Sequence, residues 1–221
     1  MPFSYSSASI VNLETALSID RFFSYVAASG GDRRRAIALY EWNSQVSAAF
    51  YVPLQAVEVA LRNVCHRELS SIWGNAWPDS HAFQVLDRLF SRSIGDAKKR
   101  LVRLGVKADT PHIVAELSFG FWTTLLARRF EHILWSQALR RAFPRVKMVS
   151  GVKPSRRFVA DRFDYLRVFR NRIAHHEPIF ARDLAADYAS LLEVAAWMFP
   201  DVAEWTDSFS ACVALIKAKP S

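Results

Sequence analysis

Glycine is scarce, with seven residues in 221, and no Asn-Gly or Asp-Gly pair stands between short alternating runs. Hairpins rely on such residues for positive φ, so the scarcity argues against a sheet. Only two cysteines occur, Cys65 and Cys212, each within an apolar helical pattern and neither in a CxxC pair. That excludes a disulfide framework and a zinc ribbon, and it fits buried thiols in a reducing compartment. His81, His112 and His132 are isolated and show no HExxH or other ligand spacing, so no metal and no other cofactor is expected. The longest apolar run, Leu117 to Ala127, is far short of the ~20 residues a membrane helix needs. The uncharged N-terminal stretch lacks the basic start of a signal peptide. A cytoplasmic protein without a membrane partner is the expectation.

What is present is apolar and basic. A hydrophobic fraction of 51% supplies one well-buried core, and the chain is too short for two ordinary domains. Leu, Ala, Arg and Glu recur throughout, which predicts an all-α, single-domain bundle of about eight to ten helices. The 29 basic against 21 acidic residues leave a net charge of +8, a balance that attracts polyanions such as nucleic acid.

Residues 1–12, rich in serine, are expected to form a flexible arm before a single domain over 13–221. Leu13, Leu17, Phe22 and Val26 give helical spacing up to Ser29-Gly30-Gly31. Asp32 can cap the next helix, Pro53 predicts a kink or a new start, and Leu54 to Trp73 continues the pattern. Further helices are expected from Asp79-Ser80 to Phe90, across the basic Lys98 to Arg103 run to Gly105, and from Thr110-Pro111. The last of these is interrupted near Ser118-Phe119-Gly120 and resumes to Arg141. A motif-bearing helix over about 156–176 is stopped by Pro178, and the patterns Asp183 to Met198 and Thr206 to Lys217 complete the chain.

The motif helix has two faces. At about 100° per residue, Phe158, Val159, Phe163, Leu166, Phe169 and Ile173 fall on one core stripe. Asp164, Val168, Asn171 and His175 fall together on another, with Arg157 and Arg167 beside it. Asn171 and His175, four apart, are neighbours, and the amide can orient the imidazole. Arg170 flanks that histidine, and its guanidinium can reach a shared phosphate. His176 turns toward the core edge and reads as the structural member of the pair.

The run Arg170-Asn171-Arg172-Ile173-Ala174-His175 resembles the Arg-Asn-x-x-x-His signature of HEPN ribonucleases, and His176-Glu177-Pro178-Ile179-Phe180 resembles its Abi-like, abortive-infection subgroup. Leu39-Tyr40-Glu41-Trp42-Asn43, Glu58 to Asn63 and Leu117 to Trp122 are similar to the same subgroup, so the resemblance spans most of the chain. It implies a helical fold, metal-independent RNA cleavage through Arg170, Asn171 and His175, and a homodimer whose motif helices meet. It further implies a role in phage defence or toxin-mediated growth arrest.

The residue types suit that chemistry on their own. Attack by a 2′-hydroxyl needs a base, an acid for the leaving oxygen and a cation for the phosphorane. Histidine can serve in either proton transfer, so two copies of His175 around one phosphate complete the pair, and DNA should resist. RNA, tRNA included, is the expected partner, with an antitoxin or regulator as a further one. A non-catalytic RNA- or nucleotide-binding protein and a toxin–antitoxin interaction protein are the competing readings.

Two side features remain. Arg62-Asn63, with His66 one residue too close, imitates the motif; a Glu58–Arg62 intrahelical ion pair is one reading, and a share in the RNA cleft is the other. Basic runs at Arg33 to Arg35, Lys98 to Arg103, Arg140 to Lys147 and Lys153 to Arg157 offer an RNA surface, with Arg156 and Arg157 best placed. The tryptophans read as packing residues.

Overall fold

The structure is a computed structural model that describes residues 5–220. Its axis is α3 (Arg33–Trp73), preceded by α1 (Ser7–Ala16) and α2 (Ile19–Ala28). After it come α4 (His81–Gln84), α5 (Arg88–Arg103), α6 (Thr110–Glu116), α7 (Phe119–Thr124), α8 (Ser136–Ala142) and α9 (Val146–Ser150). The motif helix α10 (Arg156–Ala174) is followed by α11 (Leu184–Met198), α12 (Pro200–Phe209) and α13 (Cys212–Lys217). Among the described residues there are thirteen α-helices, nine of them at least seven residues long, and no strand. The all-α expectation holds; the excess over eight to ten comes from short pieces. No helix among them is long and apolar enough to cross a membrane.

Local chemistry explains most boundaries. Asp32 caps α3 by accepting the N–H groups of Arg34 and Arg35 at 2.9 and 3.1 Å, as the sequence predicts. Pro53 neither ends nor restarts that helix, which runs unbroken for 41 residues. A proline there deprives the Ala49 carbonyl of its donor, at a cost of roughly 3 kcal/mol. The buried positions Val46, Phe50, Pro53, Leu54, Val57, Leu61 and Val64 stay in phase across it, so packing on one continuous face outweighs that loss.

Several expectations are corrected. Of the arm over 1–12, residues 1–4 lie outside the described residues. From Ser7 the chain is helical, because the Ser6 side chain caps α1 and Ile10 is buried. Ser18, at φ 73°, divides the first helical pattern into α1 and α2. A helix to Phe90 fails because Asp87 caps a new one by accepting the Leu89 N–H at 2.8 Å. The pattern over Thr206 to Lys217 is likewise two helices, α12 and α13, broken at Ser210-Ala211.

Helices α2, α7, α8, α11, α12 and α13 pack around α3, and α10 lies against α7 and α11. Trp77, Trp122, Trp135 and Trp197 are fully buried among Phe50, Phe83, Phe90 and Phe163. This aromatic core fixes where α10 stands relative to α3, and between those two helices the candidate site forms.

Candidate functional site

Helix α10 keeps its predicted core stripe. Val159, Phe163, Leu166 and Phe169 are buried, with Phe158 and Ile173 packed at the edge. Ser155 caps its start by accepting the Phe158 N–H at 3.2 Å. The helix ends sooner than the sequence predicts, at Ala174, before Pro178 can act. His176 adopts φ 56°, its N–H donates to the Ile173 carbonyl at 3.0 Å, and the Glu177 N–H donates to Arg172 at 2.8 Å. These paired bonds are a Schellman cap, with a histidine in the left-handed position that glycine usually takes. His176 is therefore an exposed cap residue rather than a core-edge side chain.

The turn is tied from several sides. The buried Asn43 side chain accepts the Ile179 N–H at 2.9 Å. Arg172 donates to the Pro178 carbonyl at 2.9 Å and stands 3.4 Å from Glu177. Arg182 donates two bonds of 2.7 Å to the fully buried Asp187, which also receives the Tyr165 hydroxyl. The same guanidinium lies 4.9 Å from the Phe169 ring centre. His175, at the junction, is thus an exposed side chain on a braced backbone. Among the described residues its imidazole makes no hydrogen bond or ion pair, and the bond it shares with Asn171 is a backbone one, N–H to carbonyl at 2.9 Å. The predicted amide-to-imidazole contact is not formed in the single chain.

Arg170 faces the other way, into a cleft of about 200 Å³ between α3 and α10. Its walls include Tyr51, Glu58, Val59, Arg62, Leu117, Ile173 and Ala174. The Glu58–Arg62 pair expected within α3 gives way to one across helices, because Glu58 reaches Arg170 at 3.7 Å. The Nε of Arg62 is buried in the cleft wall without a hydrogen-bond partner. Arg62 therefore belongs to the cleft that Arg170 lines, while Asn63 lines a separate groove with Val52, Ala56, Phe199, Trp205 and Phe209. His66 is structural: its Nδ1 accepts the Trp77 indole N–H at 2.9 Å, and burial pushes its pKa down.

A second cleft adjoins the first, sharing Tyr51, Ile173 and Ala174 and adding Arg21, Tyr25, Tyr40, Asn43 and His176. The sequence gives no warning of this cleft, since Arg21, Tyr25 and Tyr51 sit in ordinary amphipathic helices. The remaining predicted residues scatter. Arg156 is only 10% exposed and is committed to Glu131 and the Leu126 carbonyl, so it ties helices together instead of facing RNA. Arg157 is 85% exposed and weakly opposed by Asp161 at 3.7 Å. Arg167 is held by Asp164 at 3.0 Å.

Other basic runs are also partly internal ties. Arg33 pairs with Glu14, Arg100 with Glu116, and Arg141 with the buried Glu68. Trp205 departs from the packing expectation, being 63% exposed. Among the described residues no three His, Cys, Asp or Glu side chains are grouped as a metal site would need. The chain matches no known family, no curated protein and no solved structure.

Proposed function

We propose that this protein is a metal-independent endoribonuclease of the HEPN type, acting in the cytoplasm as a homodimer and serving phage defence or growth arrest. The observation that carries the reading is the division of the motif: Arg170 lines a cleft, whereas His175 is exposed and unpartnered on an exposed stripe of the same helix. That stripe runs Arg157, Asp161, Asp164, Val168, Asn171 and His175, all but Asn171 well exposed. A two-fold axis at the His175 end of the stripe pairs the two helix ends. A second copy docked there brings another His175 to the first.

In that dimer one His175 takes the proton of the 2′-hydroxyl as its oxygen bonds to phosphorus. The other gives a proton to the 5′-oxygen as the P–O5′ bond breaks, leaving a cyclic phosphate and a free 5′-hydroxyl. To stabilise the charge developing on that phosphate, the Arg170 guanidinium leaves Glu58 and swings out of its cleft toward His175. Asn171, between the two on the helix, orients the partner ring across the interface.

The test is cleavage of labelled tRNA and a matched DNA in excess EDTA by wild-type protein and H175A, with folding and mass in solution checked for both. RNA cut in EDTA by wild type and spared by H175A supports the reading. A folded dimer that leaves RNA intact removes it.

A further inference from the structure

The two clefts beside α10 meet at one wall, and at that wall stands Tyr51, an aromatic side chain 66% exposed. An exposed tyrosine ring on a helix is unremarkable alone. Here its neighbours give it a chemical setting. On one side lie Arg170, partly exposed, and Arg62, whose buried Nε has no partner. Both arginines line the same cleft, so two guanidinium charges stand where an anionic oxygen would be held. On the other side is a wider cleft lined by Tyr25, Tyr40, Asn43, Ser44 and Ser47. Ala174 belongs to both clefts, and the next residue is His175.

From this arrangement we infer that Tyr51 is a stacking platform for an unpaired base, whose adjoining phosphate is taken by Arg62 and Arg170. The substrate is therefore single-stranded RNA, or a loop, crossing from one cleft to the other beside His175. The inference rests on the nuclease reading for the choice of nucleic acid and goes beyond it in naming the strand form and the residue that selects it. A duplex keeps its bases stacked on one another and has none to offer the ring, whereas a single strand can splay one out.

The experiment measures binding apart from cleavage. H175A protein is titrated into a short fluorescent, unstructured RNA and into its duplex, at one fixed salt concentration. The same is done with Y51A, Y51F, R62Q and W205A added in turn, each checked for folding by circular dichroism. Loss of one base stack predicts roughly tenfold weaker single-strand binding for Y51A, little change for Y51F, and a smaller Y51A effect on the duplex. R62Q should weaken single-strand binding and flatten its salt dependence, with a smaller effect on the duplex.

Y51A binding as tightly as its parent overturns the assignment, as does equal weakening for single strand and duplex. A loss in W205A with none in Y51A also overturns it, and would put the strand in the groove of Phe199 and Phe209. Tyr51-dependent binding of RNA that wild type never cleaves upholds the platform and removes only the nuclease. Y51A made in the wild-type background that cleaves as fast as wild type upholds the nuclease and removes the platform.

Discussion

The side-chain oxygen of Asn43 accepts the backbone N–H of Ile179 at 2.9 Å, joining positions 136 residues apart in sequence. One bond thus fastens the N-terminal third of α3 to the segment leaving His175. Ile179 is fully buried and Asn43 nearly so, which keeps the bond out of bulk water. N43A should lower stability by about 2 kcal/mol, the cost of an unsatisfied buried donor, in urea denaturation followed by circular dichroism. RNA cleavage should fall further than stability explains, because the turn carrying His175 loses its anchor. Unchanged cleavage by folded N43A would show that the turn holds its shape without that bond.

His176 and His175 are adjacent and opposite in role. The positive φ of His176 costs a side-chain-bearing residue about 1 kcal/mol relative to glycine. H176G should therefore raise the thermal midpoint and keep cleavage, whereas H175A should fold normally and cleave nothing. If H176G abolishes cleavage with the fold intact, the second imidazole is part of the chemistry.

Much of this was legible in the sequence because helical period and capping are local. The core stripe of α10, the Asp32 cap and the all-helical class follow from spacing and residue type alone. The left-handed His176 was not legible, since nothing in His-His-Glu-Pro distinguishes a cap from one more helical turn. Nor was the partner of Glu58: an arginine four residues on is the local choice, and the observed partner, Arg170, becomes a neighbour only when α10 docks on α3. Arg156 misled for the same reason, because its basic context gave no sign of Glu131 waiting on another element. Spacing finds which face a residue takes; which neighbour then claims it is decided by tertiary packing.

Asp187 is fully buried, and its charge is met by Arg182 and the Tyr165 hydroxyl. The carboxylate in turn pushes the Tyr165 pKa up, with burial the larger cause. R182M keeps the apolar stem over Phe169 but strands the carboxylate, so a loss of about 3 kcal/mol is expected in chemical denaturation. The double variant R182M/D187L should recover much of it, since a well-packed apolar pair replaces an ion pair at little cost. A single variant as stable as wild type would mean that Tyr165 alone satisfies Asp187.

His66 accepts the Trp77 N–H through Nδ1, a bond only the neutral ring can make. Burial lowers its pKa in the folded state. Its contribution to stability is therefore complete above the ordinary histidine value of about 6.5 and is lost as pH falls through the lower folded value. Between neutral pH and mild acid the wild-type denaturation midpoint should drop, and more steeply than that of H66Q, where an amide oxygen can accept the same bond without titrating. Parallel slopes for the two proteins would place the acid sensitivity elsewhere.

Among the described residues Glu58 is the one carboxylate lining the cleft proposed to take a phosphate, and it stands 3.7 Å from Arg170. Both side chains are partly exposed, so their pairing is worth little, on the order of 0–1 kcal/mol, and its removal should hardly change the melting temperature. Its effect on an anion is larger. A phosphate approaching Arg170 must displace Glu58 and then sit beside its charge, both of which oppose binding. E58Q should bind RNA several-fold more tightly at low salt, with the advantage shrinking as salt screens the charge. R62A, by contrast, should fold, bind RNA weakly and cleave poorly, because it takes a cation from the same wall. If E58Q instead weakens binding, the carboxylate's part is to hold Arg170 in position, and Arg170 meets the phosphate without leaving it.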